Sequence, residues 1–185
     1  MELAAKACLL RPWRKGDEEA LVRHAGNRKV WRNLTDRFPH PYTVEDASAW
    51  IRTVEEQGAP PRNFAIVVGG EAVGGAGLNL LEDVHAKTAD IGYWVGETHW
   101  GRGLATQSLT ALTDYAFATF ELERLQARVF EWNRASCRVL EKAGYFLESR
   151  QRSSVFKEGR LADMFIYVRL RSDCAPSSRP SDPCR

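Results

Sequence analysis

His99-Trp100-Gly101-Arg102-Gly103-Leu104-Ala105-Thr106 decides the fold, because strand-like sequence runs into it and helix-like sequence runs out of it without a break. Upstream, Thr88 to Val95 alternates, with Ala89, Ile91, Tyr93 and Val95 on one side and Asp90, Gly92 and Trp94 on the other, the period of a β-strand. Downstream, Ala105, Leu109, Leu112, Ala116 and Phe120 recur at helical spacing. The turn between them holds Gly101 and Gly103, whose missing side chains let successive backbone N–H groups converge on one small volume. Those donors have no acceptor inside the helix, and the helix dipole adds about half a positive charge at that end. The turn therefore suits a phosphate, with Arg102 available at its rim. A glycine pair alone also serves as an ordinary tight connection.

A second segment points the same way. Arg124 to Phe130 alternates Leu125, Ala127 and Val129 against Gln126 and Arg128, predicting another strand. Beyond it, Ala135, Val139, Leu140 and Ala143 form one apolar helical face, Asn133 is a good N-cap, and Gly144 is placed to stop the helix. Asn133 and Ser136 thus stand in a first helical turn, facing the glycine turn if the two strands are neighbours.

Further elements follow along the chain. Cys8 to Trp13 reads as a strand and Asp17 to Ala25 as a helix; Thr43-Val44-Glu45-Asp46 has the capping-box pattern, and Ala47, Trp50, Ile51 and Val54 continue a helical face. Phe64 to Val68 and Ala72 to Leu81 are joined by Gly69-Gly70, a hairpin signal. Tyr145 to Arg150 and Arg160 to Leu170 read as closing strands. The expected order is β-α-α-β-β-β-α-β-α-β-β, an α/β (α+β) mixed sheet covered by helices. Residues 1–171 are read as one domain and 172–185 as a disordered Ser/Pro-rich tail.

Composition narrows the function. At 185 residues the chain buries on the order of 70% of its unfolded surface without staples. The 26 basic and 24 acidic residues leave a net charge of +2, no general field for nucleic acid, and the signs alternate around Arg134, Arg138, Arg150 and Arg152. No apolar run reaches the roughly 18 residues of a membrane span, and Met1 to Cys8 does not resemble a secretory signal, so no membrane association and a cytoplasmic location are expected. Cys8, Cys137, Cys174 and Cys184 lack metal-ligand spacing, and Cys137 reads as a packed small hydrophobe; no metal is expected.

Together, the Trp100 to Ala105 turn and the Asn133-led helix resemble the Gcn5-related N-acetyltransferase (GNAT) superfamily, with wording closest to its ribosomal-protein-alanine acetyltransferase-like branch. The resemblance covers roughly Leu9 to Leu170. It implies that acetyl-CoA is the co-substrate, that Trp100, Gly101, Arg102, Gly103, Leu104, Ala105 and Thr106 hold its diphosphate, and that Asn133 contacts its arm. It further implies direct transfer of acetyl to a primary amine, on a peptide N-terminus or a small molecule, and is compatible with a homodimer. Backbone N–H groups of Tyr93, Trp94 and Val95 would meet the charged oxygen, which requires this strand to splay from its neighbour.

Asp90 opens a strand at a place where histone-acetylating relatives carry a Glu base; it also reads as a solvated strand-edge acid, and Glu97 is a second candidate. Many members place a Tyr general acid seven residues after the helix-starting Asn, where this chain has Leu140. Ser136 is the replacement expected from the branch, though a first-turn hydroxyl can equally cap the helix. The acceptor pocket is expected among Trp31, Phe38 and Tyr42, with Asp36, Glu82 or Asp83 attracting the amine, while His40 and His85 have no assigned partner. Other readings are a dinucleotide-binding dehydrogenase, opposed by Thr106 at the third glycine position, and a non-catalytic acyl-CoA sensor, which the missing Tyr at Leu140 leaves open.

Overall fold

Alternating apolar residues give the central strands two faces to bury, and the chain covers both. In the computed structural model, which describes residues 1–174, β3 (Asn63–Val68) sends Phe64 and Ile66 into one core and Ala65 and Val67 into another. The first core is completed by α4 (Leu104–Thr119), through Leu109, Leu112 and Ala116, and by α5 (Arg134–Lys142), through Cys137 and Leu140. The second is completed by α1 (Glu18–Ala25), through Leu21 and Ala25, and α3 (Val44–Glu56), through Ala47, Ile51 and Val54.

The strands are β1 (Leu3–Ala4), β2 (Leu9–Pro12), β3, β4 (Glu71–Leu80), β5 (Thr88–Val95), β6 (Arg124–Phe130), β7 (Phe146–Lys157) and β8 (Arg160–Leu170). They form one sheet in the order β1-β2-β3-β4-β5-β6-β8-β7. Among the described residues, the β5–β6 pair alone is parallel.

That pair positions the site. It holds for three rungs, Thr88 with Arg124, Ala89 with Leu125 and Asp90 with Gln126, and then stops. Beyond it β5 stays with β4 as far as Val95 opposite Gly74, and β6 stays with β8 as far as Phe130 opposite Met164. The sheet therefore opens into a V between β5 and β6, its apex at Asp90.

The local signals account for most element ends. Thr43 Oγ1 accepts from Asp46 N at 3.2 Å while Asp46 Oδ2 accepts from Thr43 N at 2.9 Å, completing the capping box. Two elements are additions to the expected order. β1 is two residues long, and α2 (Arg28–Trp31) is one turn, capped by Asn27 Oδ1 accepting from Lys29 N at 2.7 Å. Neither is long enough to show a period. The seventh strand also runs on to Lys157 rather than ending at Arg150, because register shifts between Gln151 and Val155 break the alternation that would reveal it. Residues 171–174 form a short 3-10 turn; residues 175–185 of the expected tail lie outside the described ones.

Candidate active site

The turn after β5 has the expected geometry. Gly101 and Gly103 have φ of +76° and +75°, a left-handed conformation that side chains disfavour, and Gly103 is the residue before α4. Among the described residues, the N–H groups from Gly101 to Thr106 meet no acceptor, and the first helical hydrogen bond runs from Gln107 N to Gly103 O at 3.1 Å. A series of free donors thus sits at the positive end of a sixteen-residue helix. Arg102 is exposed at the rim. It also acts on His99, whose imidazole is held below its ordinary value by burial, then by His24 and Arg102.

Trp100 is different from its neighbours. Its backbone N–H is spent on Glu97 O at 3.1 Å, and its indole donates to Val95 O at 2.6 Å. The residue anchors the turn to the end of β5, and the free donors begin at Gly101.

Strand alternation decides which β5 amides face the gap. Gly96 N donates to Val73 O at 2.8 Å, and Trp94 stands opposite Gly75, so the backbone groups of Trp94 turn toward β4. Those of Tyr93 and Val95 turn the other way, into the V. The indole of Trp94 lies on the α1/α3 face, 6.0 Å from Phe38 ring to ring. Of the three residues expected to supply donors, two present them to the gap.

On the opposite face, α5 brings a hydroxyl to the same place. Asn133 Oδ1 accepts from Ser136 N at 3.1 Å and is the cap, so the Ser136 hydroxyl is not needed for capping. It lies 2.8 Å from the Tyr93 hydroxyl, which is also 3.3 Å from Ser136 O. Burial pushes the Tyr93 phenol above its ordinary value. Leu140 is fully buried in the core.

The acids fare unequally. Asp90 Oδ1 accepts from Gln126 Nε2 at 2.8 Å and lies 3.5 Å from Arg128 Nε, at the apex of the V and on the face opposite Ser136. Glu97 instead bonds Asn27 Nδ2 at 2.7 Å and Lys29 Nζ, and these hydrogen bonds hold its carboxyl below the usual carboxylate range. It ties the turn to α2 rather than facing the gap.

The segment after α2 crosses the mouth of the V on the Trp94 side. Phe38 packs on Trp94, Asn33 Oδ1 accepts from Trp132 Nε1 at 3.1 Å, and Asp36 Oδ1 accepts from Lys157 Nζ at 2.6 Å. Lys157 is buried, with its ammonium 3.7 Å from the centre of the Trp31 ring, and His40 stacks on that ring at 5.2 Å. Tyr42 is 7% exposed and belongs to the second core, stacked on Phe38. Glu82, Asp83 and His85 lie between β4 and β5, at the closed end of the sheet away from the turn.

Sequence reasoning missed the Tyr93 phenol and the Lys157–Asp36 bridge. Placing Tyr93 on the same strand side as Ala89 and Ile91 was the signal for the first, since that side meets the helix that carries Ser136. No short-range signal marks the second, whose partners are 121 residues apart.

A sheet splayed between β5 and β6, with a turn of unpartnered N–H groups after one arm and the Ser136 hydroxyl after the other, has the features of a transferase that holds a phosphate-bearing acyl carrier across the gap. A family model described as an acetyltransferase (GNAT) domain matches residues 8–145. YjcK of Bacillus subtilis, named a probable N-acetyltransferase, is 30% identical over 177 residues, covering 92% of this chain and 98% of that protein. The ribosomal-protein-serine acetyltransferase of Escherichia coli is 32% identical over 147 residues, covering 77% and 80%. Among solved structures, the ribosomal alpha-N-protein acetyltransferase RimL in complex with coenzyme A matches with a TM-score of 0.80 at 22% identity, covering 92% and 98%. The chain belongs to the GNAT acetyltransferase family. It is an N-acetyltransferase dependent on acetyl-CoA, and the sensor and dehydrogenase readings are not favoured.

Among the described residues no helix is long and apolar enough to cross a membrane, and no group of side chains is arranged to hold a metal ion.

Proposed function

We propose that this enzyme acetylates the primary amine at a peptide N-terminus, in the cytoplasm. The 32% identity to a ribosomal-protein acetyltransferase supports a peptide acceptor over a small amine. The spermidine N-acetyltransferase of Vibrio cholerae shares the fold at 20% identity, which carries no acceptor.

The observation that carries the site assignment is the run of unpartnered N–H groups from Gly101 to Thr106 beside the open V. A diphosphate fits it: the donors are successive, the helix dipole favours negative charge, and Arg102 stands at the rim. When bound, acetyl-CoA supplies an activated acyl group on a thiol leaving group. Asn133 keeps its amide Nδ2 for the carrier's arm, its Oδ1 being committed to the cap.

Tyr93 and Val95 N–H groups stabilise the acyl oxygen as it gains charge, and each such donor contributes roughly 3 kcal/mol in a dry site. Ser136 Oγ donates to the departing sulfur. The amine enters from the Trp94 face, beneath the 31–42 segment, and sheds its proton through water to Asp90 at the apex.

The test is incubation with acetyl-CoA and a panel of N-terminal peptides, polyamines and aminoglycosides, read by mass spectrometry. A gain of one acetyl group on a peptide α-amine supports the reading; acetylation confined to the small amines contradicts it.

A further inference from the structure

The hydroxyl nearest to Ser136 belongs to a side chain that this scheme does not use. We propose that Tyr93 is a positioning residue for acyl transfer: its phenol donates to Ser136 Oγ and leaves the serine's own proton turned toward the departing sulfur. This inference rests on the reading that Ser136 faces the thioester.

Each hydroxyl carries one proton and two lone pairs. At 2.8 Å the Tyr93 and Ser136 oxygens share one of those protons, and which residue donates decides whether Ser136 has a proton left for a ligand. A phenol is the stronger donor of the two. Its alternative acceptor, Ser136 O, is farther away at 3.3 Å. Burial disfavours the phenolate, so the phenol remains a donor across the physiological range. The helix makes no competing demand on Ser136, because Asn133 provides the cap.

The arrangement also couples two contacts through one residue. The Tyr93 amide points into the V toward the acyl oxygen, while its ring crosses to α5 behind the group that meets the sulfur. The helix position seven residues after Asn133 is Leu140, which is wholly buried and offers no hydroxyl. The strand supplies the phenol that this helix lacks.

Electrons and protons balance without ionising either hydroxyl. As the amine nitrogen bonds to the acyl carbon, the C–S bond breaks and its electron pair goes to sulfur. Ser136 donates a hydrogen bond to that sulfur and Tyr93 donates one to Ser136, each keeping its proton. The thiolate is later protonated by solvent, and the amine's proton leaves through water.

The experiment compares the full chain with Tyr93→Phe, Ser136→Ala and the double variant, using an acceptor that the parent acetylates. Turnover, both KM values, CoA affinity by calorimetry and melting temperature are measured. Phenylalanine keeps the ring, so folding should be retained. The expected losses in kcat are about a hundredfold for Ser136→Ala and about tenfold for Tyr93→Phe, with CoA affinity within about twofold. The double variant should be no slower than Ser136→Ala, because Tyr93 acts through Ser136. Parent-like kcat in either single variant, losses that multiply in the double, or CoA affinity that falls in step with kcat would each overturn the proposal. A parent that binds acetyl-CoA but acetylates no amine would instead overturn the reading on which it rests.

Discussion

Gly103 is the residue on which the proposed cofactor binding turns. Its φ of +75° is unfavourable for any residue with a Cβ, yet a Cβ there would meet only Gln107 Nε2 at 3.5 Å. Gly103→Val therefore has space but not the right backbone conformation, at about 1–2 kcal/mol or more for a branched residue. The domain should remain folded by circular dichroism while calorimetry shows acetyl-CoA affinity lost; unchanged affinity would remove the turn from the site. Asp90→Asn should lower kcat/KM near neutral pH, with the deficit shrinking in alkaline buffer, where the amine arrives already deprotonated. A deficit independent of pH would leave Asp90 as a partner of Gln126 and Arg128 only. At this scale, Asn133 was readable because capping chemistry is local, whereas the Tyr93–Ser136 contact spans 43 residues. The strand period showed which face Tyr93 occupies, and only the fold shows what waits there.

Elements were legible in proportion to their length and periodicity. α3 announces itself twice, by its capping box and by the buried Ala47, Ile51 and Val54. Thr43→Ala removes the cap and should cost about 1 kcal/mol, lowering the melting temperature by roughly 2–4 °C; an unchanged melt would mean that Asp46 caps alone. α2 was hidden because one turn has no period, and the end of β7 was hidden because its register shifts mimic a loop. The short helix nevertheless carries a pH-sensitive tie. Glu97 is held below the ordinary carboxylate value of 4.5 by Lys29 and Asn27, so its contribution is complete above that value and is lost as pH falls through the lower folded one. Glu97→Gln should accordingly melt with a shallower pH dependence than the parent as pH falls below the ordinary carboxylate value. Parallel curves would show that Lys29 and Asn27 do not favour the carboxylate.

Across the molecule, two helical layers clamp a sheet that is deliberately incomplete. The splay was expected from the need for free strand donors, but its apex at Asp90 comes from where β5–β6 pairing ends, which no single strand encodes. A buried ion pair ties β2 to the start of α1. Arg11 on β2 holds Asp17 at 2.7 and 2.8 Å, and the two side chains are 7% and 8% exposed. Removing one partner strands a buried charge, so Asp17→Ala should destabilise the fold by about 3–5 kcal/mol in denaturant titration. A loss near that of an exposed pair would show that water reaches Arg11.

The central claim is that the turn from Gly101 to Thr106 grips the diphosphate so that the acyl group hangs in the V between β5 and β6. A crystal structure of the enzyme with coenzyme A tests it most directly. The diphosphate should accept hydrogen bonds from those backbone N–H groups, with the sulfur beside Ser136 Oγ. Coenzyme A seated elsewhere, or a V filled by the chain's own side chains in its presence, would contradict the account.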